Sequence, residues 1–164
     1  MVIWIMGLSG SGKTTLAKML IQKLKKEKEN IIHVDGDIIR NIHNDKLGHS
    51  IKDREINAER ISKLVKFLSK QKIFIVVSVL SNFPKWLKWN KNNIDDYFQI
   101  YIKSNFQDLK KRKPKLYKKK INVVGKDIKF NEPKNSDYEV ENYTNKAHLK
   151  KEIKKILTKI KFYN

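Results

Sequence analysis

The chain has 164 residues, no cysteine, and 37 Lys+Arg against 17 Asp+Glu, a formal charge of +20. That length suits one domain with its own core; without cysteine there is no disulfide framework and no thiolate metal site. No apolar run approaches the roughly 20 residues that span a bilayer, so a soluble cytoplasmic protein is expected.

In chain order, Val2–Met6 reads as a buried strand that leaves no room for a leader peptide. A helix follows from about Lys13 to Lys28, with Leu16, Met19, Leu20 and Leu24 on one face. A short second strand, Ile31 to Val34, runs into Asp35-Gly36-Asp37, and a long helix is expected from about Asp53 to Lys70, where Asp53 could serve as its cap. Ile73–Val79 is continuous and β-branched, as in a central parallel strand covered on both faces. Pro84–Asn93, with Trp86 and Trp89, reads as a surface helix packed on the domain, or else as a partner contact. Phe98–Ile102 is a further strand, Tyr138-Glu139-Val140 a weak one. The last helix carries Leu149, Ile153, Ile156, Leu157 and Ile160 on one face. Strands alternating with helices imply an α/β fold with a parallel sheet, and ligands gather at the carboxyl ends of such strands.

Gly7-Leu8-Ser9-Gly10-Ser11-Gly12-Lys13-Thr14 spells G-x-x-x-x-G-K-[ST] directly behind the first strand. This is the phosphate loop of a three-layer P-loop NTPase fold. Gly7, Ser9, Gly10, Ser11, Gly12, Lys13, Thr14 and Thr15 are therefore the expected ATP-binding residues. The glycines let the backbone approach phosphate, and the following helix adds its positive end. Lys13 reaches the β- and γ-phosphates, and the Thr14 hydroxyl suits Mg²⁺.

Arginine appears only at Arg40, Arg54, Arg60 and Arg112, which leaves 37 − 4 = 33 lysines. Where so lysine-rich a chain spends an arginine, a planar bidentate donor is a reasonable requirement. Three of the four flank a second constellation: Asp35-Gly36-Asp37 with Arg40, then Leu47-Gly48-His49-Ser50, then Asp53-Arg54-Glu55-Ile56-Asn57. Two carboxylates at the strand end suit a general base and a holder of Mg²⁺-bound water. Arg54 and Asn57 share a helix face and could clamp an anion. Asp37 and Arg40 also fit a plain surface ion pair.

The ordered series GLSGSGKTTLA, DGDxxR and LGxSxxDRxxNxxR, followed by an apolar strand and a basic stretch ending in LYKK, resembles the adenylylsulfate (APS) kinases from residue 1 to about 142. The resemblance implies transfer of the γ-phosphoryl of ATP to the ribose 3′-hydroxyl of a nucleotide with a 5′ anhydride. It implies Asp37 facing the acceptor hydroxyl, Asp35 and Thr14 at the Mg²⁺ site, and Lys13, Asp37 and Asp35 as the catalytic group. Arg40, Arg54 and Asn57 would hold the acceptor's anions, Ser81 would donate to it, and His49 and Phe130 would flank its base. Residues 105–125 would form a basic lid, Lys115 included, over a single domain of residues 1–164. The same basic run also fits nucleic-acid binding by an NTPase-linked module, but one interleaved aromatic, Tyr117, is a thin basis for stacking, and no nucleic-acid or membrane partner is expected. A homodimer, as in the family, is a possibility.

The acceptor side departs from the family pattern. His49 stands where the family has phenylalanine, Ser81-Asn82-Phe83-Pro84 replaces S-P-Y-R, and Asn122-Val123-Val124-Gly125 replaces F-T-G-I. These departures resemble the capsule-biosynthesis branch, which includes cytidine diphosphoramidate kinase, and imply a cytidine nucleotide acceptor; APS remains the alternative.

Overall fold

A computed structural model describes residues 1–42, 47–80, 83–119, 121–142 and 146–161. Five strands, β1 (Val2–Met6), β2 (Ile31–Asp35), β3 (Phe74–Val79), β4 (Tyr97–Lys103) and β5 (Tyr138–Glu141), form one sheet in the order β2-β3-β1-β4-β5. Every pairing is parallel. The helices α1 (Lys13–Leu24), α2 (Gly36–Ile42), α3 (Ile51–Ser69), α4 (Pro84–Asn93), α5 (Phe106–Arg112), α6 (Pro114–Tyr117) and α7 (Lys146–Lys161) connect and flank the strands. This is the parallel α/β sheet that the alternating pattern implies.

The two-residue period of a strand sends alternate side chains to opposite layers. Ile3 and Ile5 of β1 join Leu16, Leu20, Ile153 and Ile156 in the layer of α1 and α7. Val2, Trp4 and Met6 join Ile61, Val65 and Tyr97 in the layer of α3. β1 is buried along its whole length, so neither face can be polar, which accounts for its unbroken apolar run.

Several elements differ from their sequence-based bounds. α1 stops at Leu24, not Lys28, because Lys25 to Glu29 offers nothing apolar to bury. α3 starts two residues early. Its cap is Ser50, not Asp53; Asp53 is the third helical residue and closes a reciprocal capping box, its amide donating to Ser50 Oγ at 3.2 Å while the Ser50 amide donates to Asp53 Oδ2 at 3.3 Å. The Asp35-Gly36-Asp37 segment turns straight into the short helix α2. In α4, Trp86 is buried and meets Trp89 edge-on, with ring centroids 5.8 Å apart, so this helix packs on its own chain.

Candidate active site

One cavity of about 710 Å³ opens at the carboxyl ends of β1, β2 and β3, where a parallel sheet presents its loops. Ser9, Gly10, Gly12, Lys13, Thr14 and Thr15 line one end, and Arg40, His49, Arg54 and Asn57 line the other, with Asp35 and Asp37 also in the wall.

The loop between β1 and α1 is shaped by glycine. Gly10 and Gly12 have φ of 86° and 101°, the left-handed region. A Cβ at Gly12 would sit 2.8 Å from Asn142 Nδ2, and one at Gly10 would sit 3.1 Å from Lys113 Cγ. Asn142, at the end of β5, braces the loop by donating Nδ2 to the Ser11 carbonyl at 2.6 Å. Gly7 and Ser11 lie beneath the cavity instead of lining it: a Cβ at Gly7 would come within 2.6 Å of the Ile102 carbonyl, and Ser11 is fully buried. Lys13 donates Nζ to the Leu8 carbonyl at 2.8 Å. Burial pushes its ammonium pKa down to about 8, against the opposing pull of Asp37 and Asp35. A desolvated cation over a glycine cradle is primed for an anion.

Asp35 ends β2 under three donors. Thr14 Oγ1 donates to Oδ2 at 3.0 Å, Ser78 Oγ to Oδ2 at 2.8 Å, and the Asp37 amide to Oδ1 at 3.0 Å. Burial alone would raise its pKa; the Ser78, Asp37 and Thr14 hydrogen bonds outweigh that and hold it below the usual carboxylate range. A hydroxyl and an ionised carboxylate side by side are hard oxygen donors of the kind that would suit Mg²⁺. Asp37 occupies the first turn of α2 and faces the same cavity.

The opposite end is built by two guanidiniums. Arg40 Nη1 donates to the Gly48 carbonyl. Arg54 donates Nε to the His49 carbonyl at 2.9 Å and Nη2 to the Asn122 carbonyl at 3.0 Å, so a single side chain ties two loops together. Asn57 is buried in α3 and donates Nδ2 to the Gly36 carbonyl at 3.1 Å, fixing α3 to the turn between Asp35 and Asp37. His49 stands at the rim; partial burial and then the Arg54 and Arg40 charges push its pKa below the ordinary histidine value, favouring the neutral ring.

The basic segment is folded and seated on the phosphate loop. Leu109, Tyr117 and Val123 form a small core with Leu8, Phe106 and Leu116. Arg112 Nη1 lies 3.3 Å from the Gly10 carbonyl. Tyr117 is buried edge-on against Phe106 and hydrogen-bonded through its hydroxyl, so its ring is not presented for base stacking.

Lys115 is exposed on α6 and does not line the cavity; Arg112, Lys113, Leu116 and Lys119 do. Pro114 begins a helical turn that puts 113 and 116 on one face, a spacing readable from the proline. Phe130 is likewise absent from the lining. It packs on Tyr101, centroids 6.1 Å apart, and Ile121 to Val124 wall the cavity instead. Ser81 lies outside the described residues. Ser78 belongs to no motif; its one signal in the sequence is a hydroxyl inside an otherwise apolar strand.

The family model for adenylylsulphate kinase matches residues 1–141. Cytidine diphosphoramidate kinase of Campylobacter jejuni is 34% identical, over 97% of this chain and 95% of its own. Adenylyl-sulfate kinase of Gloeothece citriformis is 30% identical, over 96% and 92%. Among solved structures, the Mycobacterium tuberculosis APS kinase in complex with AMPPNP and APS superposes with a TM-score of 0.83 at 26% identity, covering 98% of this chain and 96% of that one.

Proposed function

This chain belongs to the adenylylsulfate kinase family, and from that premise we propose that it transfers the γ-phosphoryl group of ATP to the ribose 3′-hydroxyl of cytidine diphosphoramidate. The reading places it in the phosphoramidate decoration of capsular polysaccharide. The observation that carries the phosphotransfer is one continuous cavity with a phosphate loop at one end and Arg40 and Arg54 at the other, with Asp35 and Asp37 in its wall. Such a cavity holds two anionic substrates end to end, which positions donor and acceptor for in-line transfer.

Each residue then has a task. Lys13 and the loop amides bind the ATP phosphates. Thr14 and Asp35 would hold Mg²⁺, which supplies charge neutralisation between the phosphates. Asp37 accepts the proton of the acceptor hydroxyl. Arg40 and Arg54 hold the 5′ anions, and Lys113 and Lys119 face the cavity from the lid.

Support for cytidine comes from the near full-length similarity to the Campylobacter jejuni enzyme, together with the changed base wall. His49 presents a planar ring that is smaller than phenylalanine, is favoured neutral, and both stacks and hydrogen-bonds. APS is the second reading, favoured by the complete Arg40, Arg54 and Asn57 set. A Mg·ATP phosphotransfer assay offering each acceptor separately decides between them. The expected result is 3′-phosphorylated product from cytidine diphosphoramidate alone; product from APS alone would reverse the assignment.

A further inference from the structure

The Asp35 carboxylate is the end of a hydrogen-bonded chain that runs back along the sheet. In the parallel register of β2 and β3, Asp35 pairs with Ser78. His33 and Asp35, two residues apart on β2, share one face. Ser78 Oγ lies 2.8 Å from Asp35 Oδ2 and 2.9 Å from His33 Nε2.

The direction of this chain follows from proton counting. Asp35 receives Thr14, Ser78 and the Asp37 amide, the arrangement of an ionised carboxylate that can only accept. A serine hydroxyl has one proton, and here it is committed to Asp35. The contact with His33 is therefore donated by Nε2–H, which assigns the tautomer of that ring. With Ser78 on Oδ2 and the Asp37 amide on Oδ1, the carboxylate is oriented independently of Thr14.

We propose that His33 and Ser78 are positioning residues, which hold Asp35 in the orientation that binds the divalent cation of the nucleotide complex. Neither touches a reacting atom, and the proposal rests on the Mg·ATP part of the function above. Partners one shell behind a metal-binding group commonly change metal affinity by about 10–100-fold. Ser78, in direct contact with Asp35, should matter more than His33.

The test is titration calorimetry of ADP, with Mg²⁺ and separately with a chelator, on the full chain and on Ser78→Ala, His33→Leu and His33→Gln. We expect Ser78→Ala to weaken the Mg²⁺-dependent part of ADP binding by about tenfold or more, and His33→Leu by about threefold to tenfold. His33→Gln keeps an N–H donor and should return to within about twofold of the unsubstituted chain. ADP affinity in chelator should be the same in all four proteins. Equal Mg²⁺ dependence in all four would overturn the proposal, as would equal losses with and without Mg²⁺, which mark a distorted loop. A loss in His33→Leu that His33→Gln does not restore would remove His33 from the chain. If the unsubstituted protein bound ADP no better with Mg²⁺ than without, the functional reading would fail first, and the proposal with it.

Discussion

The Tyr117 hydroxyl donates to the carbonyl of Ser9 at 2.8 Å, joining the basic segment to the phosphate loop across 108 positions of sequence. That bond, with Arg112 against Gly10, makes α5 and α6 part of the cavity wall beside the phosphate loop. Tyr117→Phe should therefore lower stability by about 1 kcal/mol, or roughly 2–4 °C in melting temperature for a chain of this size. Burial raises the Tyr117 pKa from 10.0 to about 12. Between those values the unfolded chain loses the proton first, so the folded state binds more protons and stability falls with rising pH. The phenylalanine variant should lose less over that interval, which alkaline thermal melts measure.

Lys13 shows the opposite sign. Its folded pKa of about 8 lies below the model-peptide value of 10.5. Between the two, the unfolded chain binds more protons, so this group's contribution to stability rises with pH. Lys13→Met should abolish phosphotransfer yet melt higher than the unmodified protein at pH 7 without ligand. That advantage should shrink as pH climbs from about 8 to 10.5. Differential melts of the pair across pH check both statements.

Gly12 is the residue before α1 and has φ of 101°. An alanine there carries about 1–2 kcal/mol of left-handed backbone strain, before its Cβ meets Asn142 Nδ2 at 2.8 Å and Leu149 Cδ1 at 3.2 Å. Gly12→Ala should lose several degrees of melting temperature together with ATP binding; calorimetry and fluorescent-nucleotide titration read the two effects separately.

Arg54 holds the His49 and Asn122 carbonyls with two different nitrogens. A lysine cannot span both, because its ammonium is a single point of donation. Arg54→Lys should raise KM for the nucleotide acceptor by about tenfold or more, since each hydrogen bond to a charged donor is worth about 1.5–3 kcal/mol. KM for ATP should change little. Initial-rate kinetics with each substrate varied in turn separate the two.

Asp37 lies in the cavity wall between the two ends, and its assigned task is to take the acceptor proton. Asp37→Ala should lower kcat by about 10²–10⁴-fold while ADP still binds normally. Near-normal turnover would remove it from the mechanism.

Local sequence by itself determined the sheet and the phosphate loop. Strand burial, helix periodicity and the glycine spacing before Lys13 are properties of a few consecutive residues, and each appears in the fold within a few positions of where it was read. The cluster of Asp35, Asp37, Arg40, His49, Arg54 and Asn57 was also legible, because turns, a capping box and one helix face carry it within 23 residues. What only the tertiary structure decided is which distant residues meet that cluster. Asn142 braces the phosphate loop, Ser78 reaches Asp35 from a neighbouring strand, and Ile121 to Val124 take the wall where Phe130 was expected. The physical reason is that such contacts depend on strand order and on the direction in which each side chain leaves its element. A parallel sheet ordered β2-β3-β1-β4-β5 sets β3 directly beside β2, and leaves one strand between β5 and β1 for Asn142 to reach across; no spacing along the chain encodes those meetings.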